Sequence, residues 1–159
     1  MPAALEVRGE LTLETPAFAL RGTADRIDRD AAGNLLVYDY KTGDPPTARQ
    51  QRHFDKQLLL EAAMAERGAF EGLDAAPVSG AVYLGLGRKP RAVAAPLDEM
   101  PPDNVLAELA ALLSVYLDPR RGFVARRAME RVGDDSGYDH LARFGEWDEA
   151  SAPEPEDLT

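Results

Sequence analysis

Leu35-Leu36-Val37-Tyr38-Asp39-Tyr40-Lys41-Thr42-Gly43 decides how the rest of the chain is read. From Leu35 to Tyr40 the run is short and almost wholly apolar, as expected of a buried central strand. It nevertheless ends on an acid and a base two residues apart. Residues i and i+2 share a face of a strand, so Asp39 and Lys41 point one way and Tyr40 the other. Charges at the end of a buried strand cost free energy unless they are paired or used. A plain strand-end ion pair meets that condition as well as a catalytic pair does.

Upstream, Asp28 to Asn34 gathers Asp, Gly and Asn, the residues that tolerate turn dihedrals. Phe18 to Ile27 reads as a strand before it. Earlier still, Leu5, Val7, Leu11 and Leu13 alternate with Glu6, Arg8, Glu10 and Thr12, the period of a half-buried strand, and Thr15-Pro16 marks the turn between the two. Three consecutive strands with short links predict a meander. A hairpin centred near residue 32 sets Asp25 opposite Asp39 and Thr23 opposite Lys41. Directly opposed residues have Cβ atoms about 4.5–5.5 Å apart, where like charges repel. Two carboxylates held so close need a shared proton or a cation. With oxygen ligands and no nearby His or Cys, the cation is hard, Mg²⁺ or Mn²⁺. The backbone carbonyl of Tyr40 is a further candidate ligand. A carboxylate pair, such a metal and an adjacent lysine together suit phosphodiester hydrolysis, in which the metal acidifies a water and the lysine orients it or neutralises developing charge. A slip of one residue would turn every side chain over, so this reading stands on the register.

Downstream, Thr42-Gly43-Asp44-Pro45-Pro46 breaks the chain. Arg52 to Arg67 then runs without Gly or Pro, with Phe54, Leu58, Leu59, Ala62 and Ala65 on one stripe of a predicted helix and Gly68 and Gly72 at its end. Ser79 to Leu86 predicts a fourth strand. Asp98 to Leu117 predicts a second helix, stopped at Asp118-Pro119, whose stripe of Leu106, Leu109, Leu112, Leu113 and Tyr116 is expected to be core. This order predicts an α/β (α+β) fold, a mixed sheet of about four strands flanked by helices.

The chain has 159 residues and a net charge of −10, with 45% hydrophobic and 29% charged residues, the balance of a globular domain. The absence of cysteine excludes a disulfide framework, a thiolate zinc site, an iron–sulfur cluster and a cysteine nucleophile. No apolar run approaches the roughly 20 residues that cross a bilayer. Met1-Pro2-Ala3-Ala4, followed by Glu6 and Arg8, is not a signal-peptide core, so a cytoplasmic location is expected. The acidity argues against a stand-alone binder held to nucleic acid by a broad basic surface. Glu146, Asp148, Glu149, Glu154, Glu156 and Asp157 gather near the C-terminus, and residues 150–159 are read as a disordered acidic tail following a domain over 1–149.

Three motifs carry a resemblance. Gly22-Thr23-Ala24-Asp25-Arg26-Ile27-Asp28, Val37-Tyr38-Asp39-Tyr40-Lys41-Thr42-Gly43 and Gln57-Leu58-Leu59-Leu60-Glu61-Ala62 resemble the GxxDRxD, DYKTG and QLxLYA patterns of RecB-type nucleases in the PD-(D/E)XK superfamily, whose fold is restriction-endonuclease-like. Glu6 to Leu13, Tyr138 to Arg143 and Glu146-Trp147 look like the C-terminal nuclease domains of alphaproteobacterial AddB-type helicase–nuclease subunits. By position, the resemblance implies that Asp25 and Asp39 are metal ligands, Lys41 the catalytic lysine, and Gln57 the helix residue supporting the site or the DNA backbone. Asp28 would orient Arg26. Glu61 departs from the family's usual tyrosine. A helix that supplies an upstream ligand in relatives has no counterpart before the first strand, implying either an excised fragment or a substitute role for Glu10.

The implied function is an Mg²⁺- or Mn²⁺-dependent DNA exonuclease domain acting on single-stranded DNA within a helicase–nuclease complex for double-strand break repair. Its partners would be the helicase part of the same parent protein and a second helicase–nuclease subunit. Two other readings stay open: a non-catalytic nuclease-like scaffold, and an unrelated α/β binding protein in which Asp39 and Lys41 merely pair. Some features are discounted. His53 reads as a surface or capping residue, His140 as structural, and Gly85-Leu86-Gly87-Arg88-Lys89 lacks the spacing of a phosphate loop. Arg120, Arg121, Arg126, Arg127 and Arg131 form a basic cluster, a solvated face unless it follows DNA or meets an acidic partner.

Overall fold

The computed structural model describes residues 1–121. It contains β1 (Pro2–Glu14), β2 (Ala17–Arg29), β3 (Leu35–Lys41), α1 (Ala48–His53), α2 (Gln57–Glu66), β4 (Val78–Gly85), β5 (Arg91–Ala94) and α3 (Pro102–Tyr116). Two compact units divide the chain, Met1–Ala111 and Leu112–Thr159. Everything about the site lies in the first. Of the second, the described part is the end of α3 and a turn in which Asp118 binds the Arg120 guanidinium.

The strands form one mixed sheet in the order β1-β2-β3-β4-β5. β1, β2 and β3 make the expected antiparallel meander, and β3 pairs with β4 in parallel. A parallel neighbour needs a crossover, and α1 and α2 supply it. The sheet has five strands rather than about four. β5 returns antiparallel against β4, from Val82↔Ala94 to Gly85↔Arg91. Its approach, Arg88-Lys89-Pro90-Arg91, carries loop chemistry and hides the strand in the sequence.

The turn after β2 falls where Asp, Gly and Asn cluster. The Asp30 carboxylate accepts from the backbone N–H groups of Ala32 and Asn34, and Gly33 takes a φ of 90°. The pairs that follow, Arg29↔Leu35, Asp28↔Leu36, Ile27↔Val37 and Arg26↔Tyr38, have the predicted register. Leu35, Val37 and Asp39 therefore face inward with Ile27, and Ala81 and Tyr83 extend the same face on β4. β1 is braced on its other edge. Glu10 N–H donates to Ala69 O and Glu71 N–H to Arg8 O, which sets Phe70 on Gly9 so closely that a Cβ there would lie 2.6 Å from the ring.

α2 covers the inward face and is buried nearly all round: Leu58, Leu59, Ala62, Ala63, Met64 and Ala65 are each at most 1% exposed. The single helix expected over 52–67 is instead two. α1 starts at Thr47 with a capping box, Thr47 and Gln50 each bonding the other's backbone N–H, and stops at Phe54. α2 restarts at Gln57 without a side-chain cap from Lys56. The break comes from tertiary structure, because the Tyr83 hydroxyl accepts from Leu58 N–H and donates to Asp55. Gly68, with φ 63°, ends α2 as expected.

On α3 the expected core stripe is only partly core. Val105 and Leu106 are buried, whereas Leu112 is 46% exposed. Among the described residues no helix is long and apolar enough to cross a membrane. The acidic tail, Tyr138, Asp139, His140, Glu146, Trp147, Arg126, Arg127 and Arg131 lie outside the described residues.

Candidate active site

β2 and β3 stop pairing at Arg26↔Tyr38, one residue short of Asp25 and Asp39. Beyond that point the Asp25 side chain stands in for the ladder, its Oδ2 accepting from Tyr40 N–H at 2.8 Å. The expected facing pair thus takes the form of two acids at the mouth of parting strands, with one of them bonded to the backbone between Asp39 and Lys41. Burial pushes the Asp39 carboxyl up, and the charge on Asp25 adds to that push.

Asp39 is 3% exposed. Burial raises its pKa above the ordinary carboxylate range, and the Lys41 ammonium opposes that shift. Lys41 Nζ lies 3.0 Å from Asp39 Oδ2 and 3.3 Å from Oδ1, and donates to Gln57 Oε1 at 2.8 Å. Gln57 Nε2 donates back to Asp39 Oδ1 at 2.7 Å, closing a triangle. Asp39, Lys41 and Gln57 are therefore brought together as the sequence implied. The Tyr83 ring lies 5.2 Å from the ammonium, within cation–π range.

Three residues take parts that the sequence does not announce. Glu61, noted only as a departure from a motif, is 5% exposed and accepts from Gln57 Nε2 at 3.0 Å. Burial pushes its pKa up to about 7, and the nearby charges of Asp39 and Asp25 push the same way. Tyr83 looked like ordinary strand core, yet it joins Lys41, Asp55 and the start of α2. Glu6 lines an open cavity of about 500 Å³ with Leu5, Asp25 and Tyr40, and its φ of 44° is a left-handed backbone that a glutamate rarely adopts. Glu10, considered as a substitute upstream acid, is paired with Arg21 at 2.6 Å. Arg21 sits four residues along β2 from Asp25, about 13 Å at a strand's rise. It does not take that place.

The opposite face carries the second acid of the first motif. Asp28 binds the Arg26 guanidinium through two bonds of 2.7 Å, and Arg26 lies over the Tyr38 ring. That bidentate pair lowers the Asp28 pKa. His53 packs edge-on against Phe54.

The residues fit a hard divalent cation. Asp39 Oδ2 is buried and accepts no hydrogen bond, and among the described residues the Lys41 ammonium is the cation beside it. The available donors near it are oxygens. No three acidic, histidine or cysteine residues form a ready cage among the described residues. Mg²⁺ keeps several waters and binds through one or two carboxylates, which two acids and a carbonyl can supply. Asp25 and Asp39, with the Tyr40 carbonyl, would hold it, and when bound it would supply an acidified water and charge neutralisation at a phosphate. Lys41 presents a positive charge beside that position, and Gln57 holds the lysine there.

The sequence profile of the PD-(D/E)XK nuclease superfamily matches residues 1–147. The chain belongs to that superfamily. Its members generally use Mg²⁺ or Mn²⁺, and the mixed sheet flanked by helices is consistent with the restriction-endonuclease-like fold expected. A solved structure, that of SSO0001, superposes with a TM-score of 0.40 at 20% identity over 69% of this chain and 50% of its own, a likeness too partial to bear on function. This PD-(D/E)XK chain thus spans half of that structure's length. No curated protein is significantly similar to it in sequence.

Tyr83 offers a test of how the superfamily's helix is set here. Tyr83→Phe keeps the ring beside Lys41 but leaves Leu58 N–H and Asp55 without their partner. Unfolding in urea should show a loss of about 1–2 kcal/mol.

Proposed function

We propose that this PD-(D/E)XK domain is an Mg²⁺- or Mn²⁺-dependent deoxyribonuclease that hydrolyses phosphodiesters of single-stranded DNA. We place it as the exonuclease part of a RecB-type, specifically AddB-like, cytoplasmic helicase–nuclease complex for double-strand break repair. The helicase part of the same parent protein and a partner helicase–nuclease subunit would deliver the strand. The observation that carries the reading is the closed triangle of Asp39, Lys41 and Gln57 beside Asp25. A structural ion pair at a strand end needs neither the third residue nor the second acid. The single-strand assignment rests on the motif resemblance, which implies a separate motor that supplies unwinding, and the net charge of −10 suits a module whose grip on DNA lies mostly elsewhere.

The test is end-labelled single-stranded DNA incubated with Mn²⁺, Mg²⁺ or EDTA, alongside duplex and circular single strands. The proposal expects shortening of linear single strands only with metal present. A second reading, a nuclease-like scaffold that handles strands without cutting, is favoured by the absence, among the described residues, of three acidic, histidine or cysteine side chains grouped to hold a metal. Strand binding with no cleavage under any divalent ion would establish it.

A further inference from the structure

Glu61 is the acid that neither the proposed chemistry nor the fold explains. It lies in the middle of α2, between Leu60 and Ala62, on a helix otherwise buried through apolar side chains. Burying a carboxylate there works against stability, all the more because Oε2 accepts no hydrogen bond. Leucine would fill a similar volume at lower cost. Among the described residues, the hydrogen bond to its side chain is the one that Oε1 accepts from Gln57 Nε2, one helical turn earlier.

We infer that Glu61 is a positioning residue that fixes the side-chain amide of Gln57, and through it the ammonium of Lys41. An amide has one oxygen and one NH₂, and its orientation is chosen by what surrounds it. Gln57 Nε2 faces two carboxylates, Asp39 Oδ1 at 2.7 Å and Glu61 Oε1 at 3.0 Å, which occupies both of its hydrogens. Oε1 is then left toward Lys41 Nζ at 2.8 Å. Turned over, the amide would set its oxygen against two carboxylates and its NH₂ against an ammonium.

The contribution of Glu61 differs in kind from those of Asp39 and Lys41. Both of those partners have other work in the proposed reaction, and whatever engages them loosens their hold on the amide. Glu61 is set back in the helix and, among the described residues, has its hydrogen bond with Gln57, so that bond persists when the others are drawn away. Gln57 and Glu61 are also i and i+4 on one helix, neighbours regardless of any motion of the sheet. The catalytic lysine is thereby tied to α2 by a bracket that the reaction does not disturb.

This inference rests on the proposed nuclease reading for its catalytic consequence but not for its geometry, and the experiment separates the two. In Glu61→Leu the bracket is lost while the helix keeps its volume. Single-strand cleavage should fall about tenfold or more in kcat with KM unchanged, while resistance to urea at pH 8 stays the same or rises. A residue that mattered only for folding would lower both together. Glu61→Gln retains an acceptor oxygen and should restore most of the lost rate. In the metal-free protein, the two Gln57 side-chain amide protons, followed by ¹⁵N NMR, should be distinct and slow to exchange, and one of them should lose protection in Glu61→Leu. Cleavage by Glu61→Leu at the parental rate, or Gln57 amide protons unchanged in that variant, overturns the inference. If the parent protein cuts nothing under any divalent ion, the nuclease reading fails. The Gln57 amide signals then decide the bracket alone.

Discussion

Lys41→Met should lower metal-dependent cleavage of single-stranded DNA by about 10²–10³-fold or more, the cost of removing one preorganised charge from a reacting centre, while Mn²⁺ still binds. Asp39→Ala should abolish both. The asymmetry follows from position. Asp39 is the buried acid with an oxygen that accepts no hydrogen bond, whereas Lys41 currently supplies the positive charge beside it. Removing the lysine takes a competing cation away from Asp39 and leaves the carboxylates in place, so metal affinity should hold or improve. Removing Asp39 takes away the most buried oxygen of the pair and leaves the ammonium with Gln57 and the Tyr83 ring. Calorimetric titration with Mn²⁺ and the rise in melting temperature that bound metal produces are the two measurements. Both should be seen in the parent and in Lys41→Met, and neither in Asp39→Ala. Cleavage that survives Lys41→Met would refute the role given to the lysine. Metal binding that survives Asp39→Ala would refute the site itself.

The part of this arrangement held by local pattern was legible in the sequence. Apolar alternation fixed the three-strand meander, and the Asp30–Asn34 turn fixed its register, because turn chemistry and face alternation allow one pairing and forbid its neighbours. That register brought Asp25 to the same end of the sheet as Asp39 and Lys41. What stayed hidden depends on contacts between distant elements. Nothing between Arg52 and Arg67 breaks a helix locally, yet the helix stops and restarts at Gln57, where a hydroxyl from Tyr83 meets Leu58 N–H. The restart is what makes Gln57 the first residue of α2, with its side chain against Asp39. Glu61 stands out in the sequence only as a departure from a motif, because a helix position does not announce which distant side chains will cover it. Glu6 was hidden because strand alternation cannot announce a left-handed residue. On α3, apolar spacing predicted a buried stripe, but spacing alone does not supply the surface that would cover Leu112.

The buried Glu61 also sets how stability should depend on pH. Its pKa rises from the ordinary 4.5 of an unfolded glutamate to about 7 in the native protein, chiefly through burial. Below both values the group is neutral in either state and no penalty exists. Between them the native protein binds a proton that the unfolded chain does not, so native stability falls as pH rises through this window. Above about 7 the carboxylate is charged in both states and the full penalty, roughly 3 kcal/mol, is present. Asp39, also raised by burial, adds a shift of the same sign. The lowered pKa of Asp28, held by Arg26, works oppositely and weakens the fold in stronger acid. Urea unfolding in EDTA should therefore show stability decreasing from pH 5 to pH 8. In Glu61→Gln that decrease should shrink by roughly 3 kcal/mol, making the variant the more stable protein at pH 8 and nearly equal at pH 4.5. Parallel curves for the two proteins across this range would mean that Glu61 titrates as a solvated acid, and its burial beneath the sheet would then be wrong. A functional carboxylate that costs stability at neutral pH is what a site built for charge would retain, since the same position filled with leucine would serve the fold better and leave Gln57 unheld.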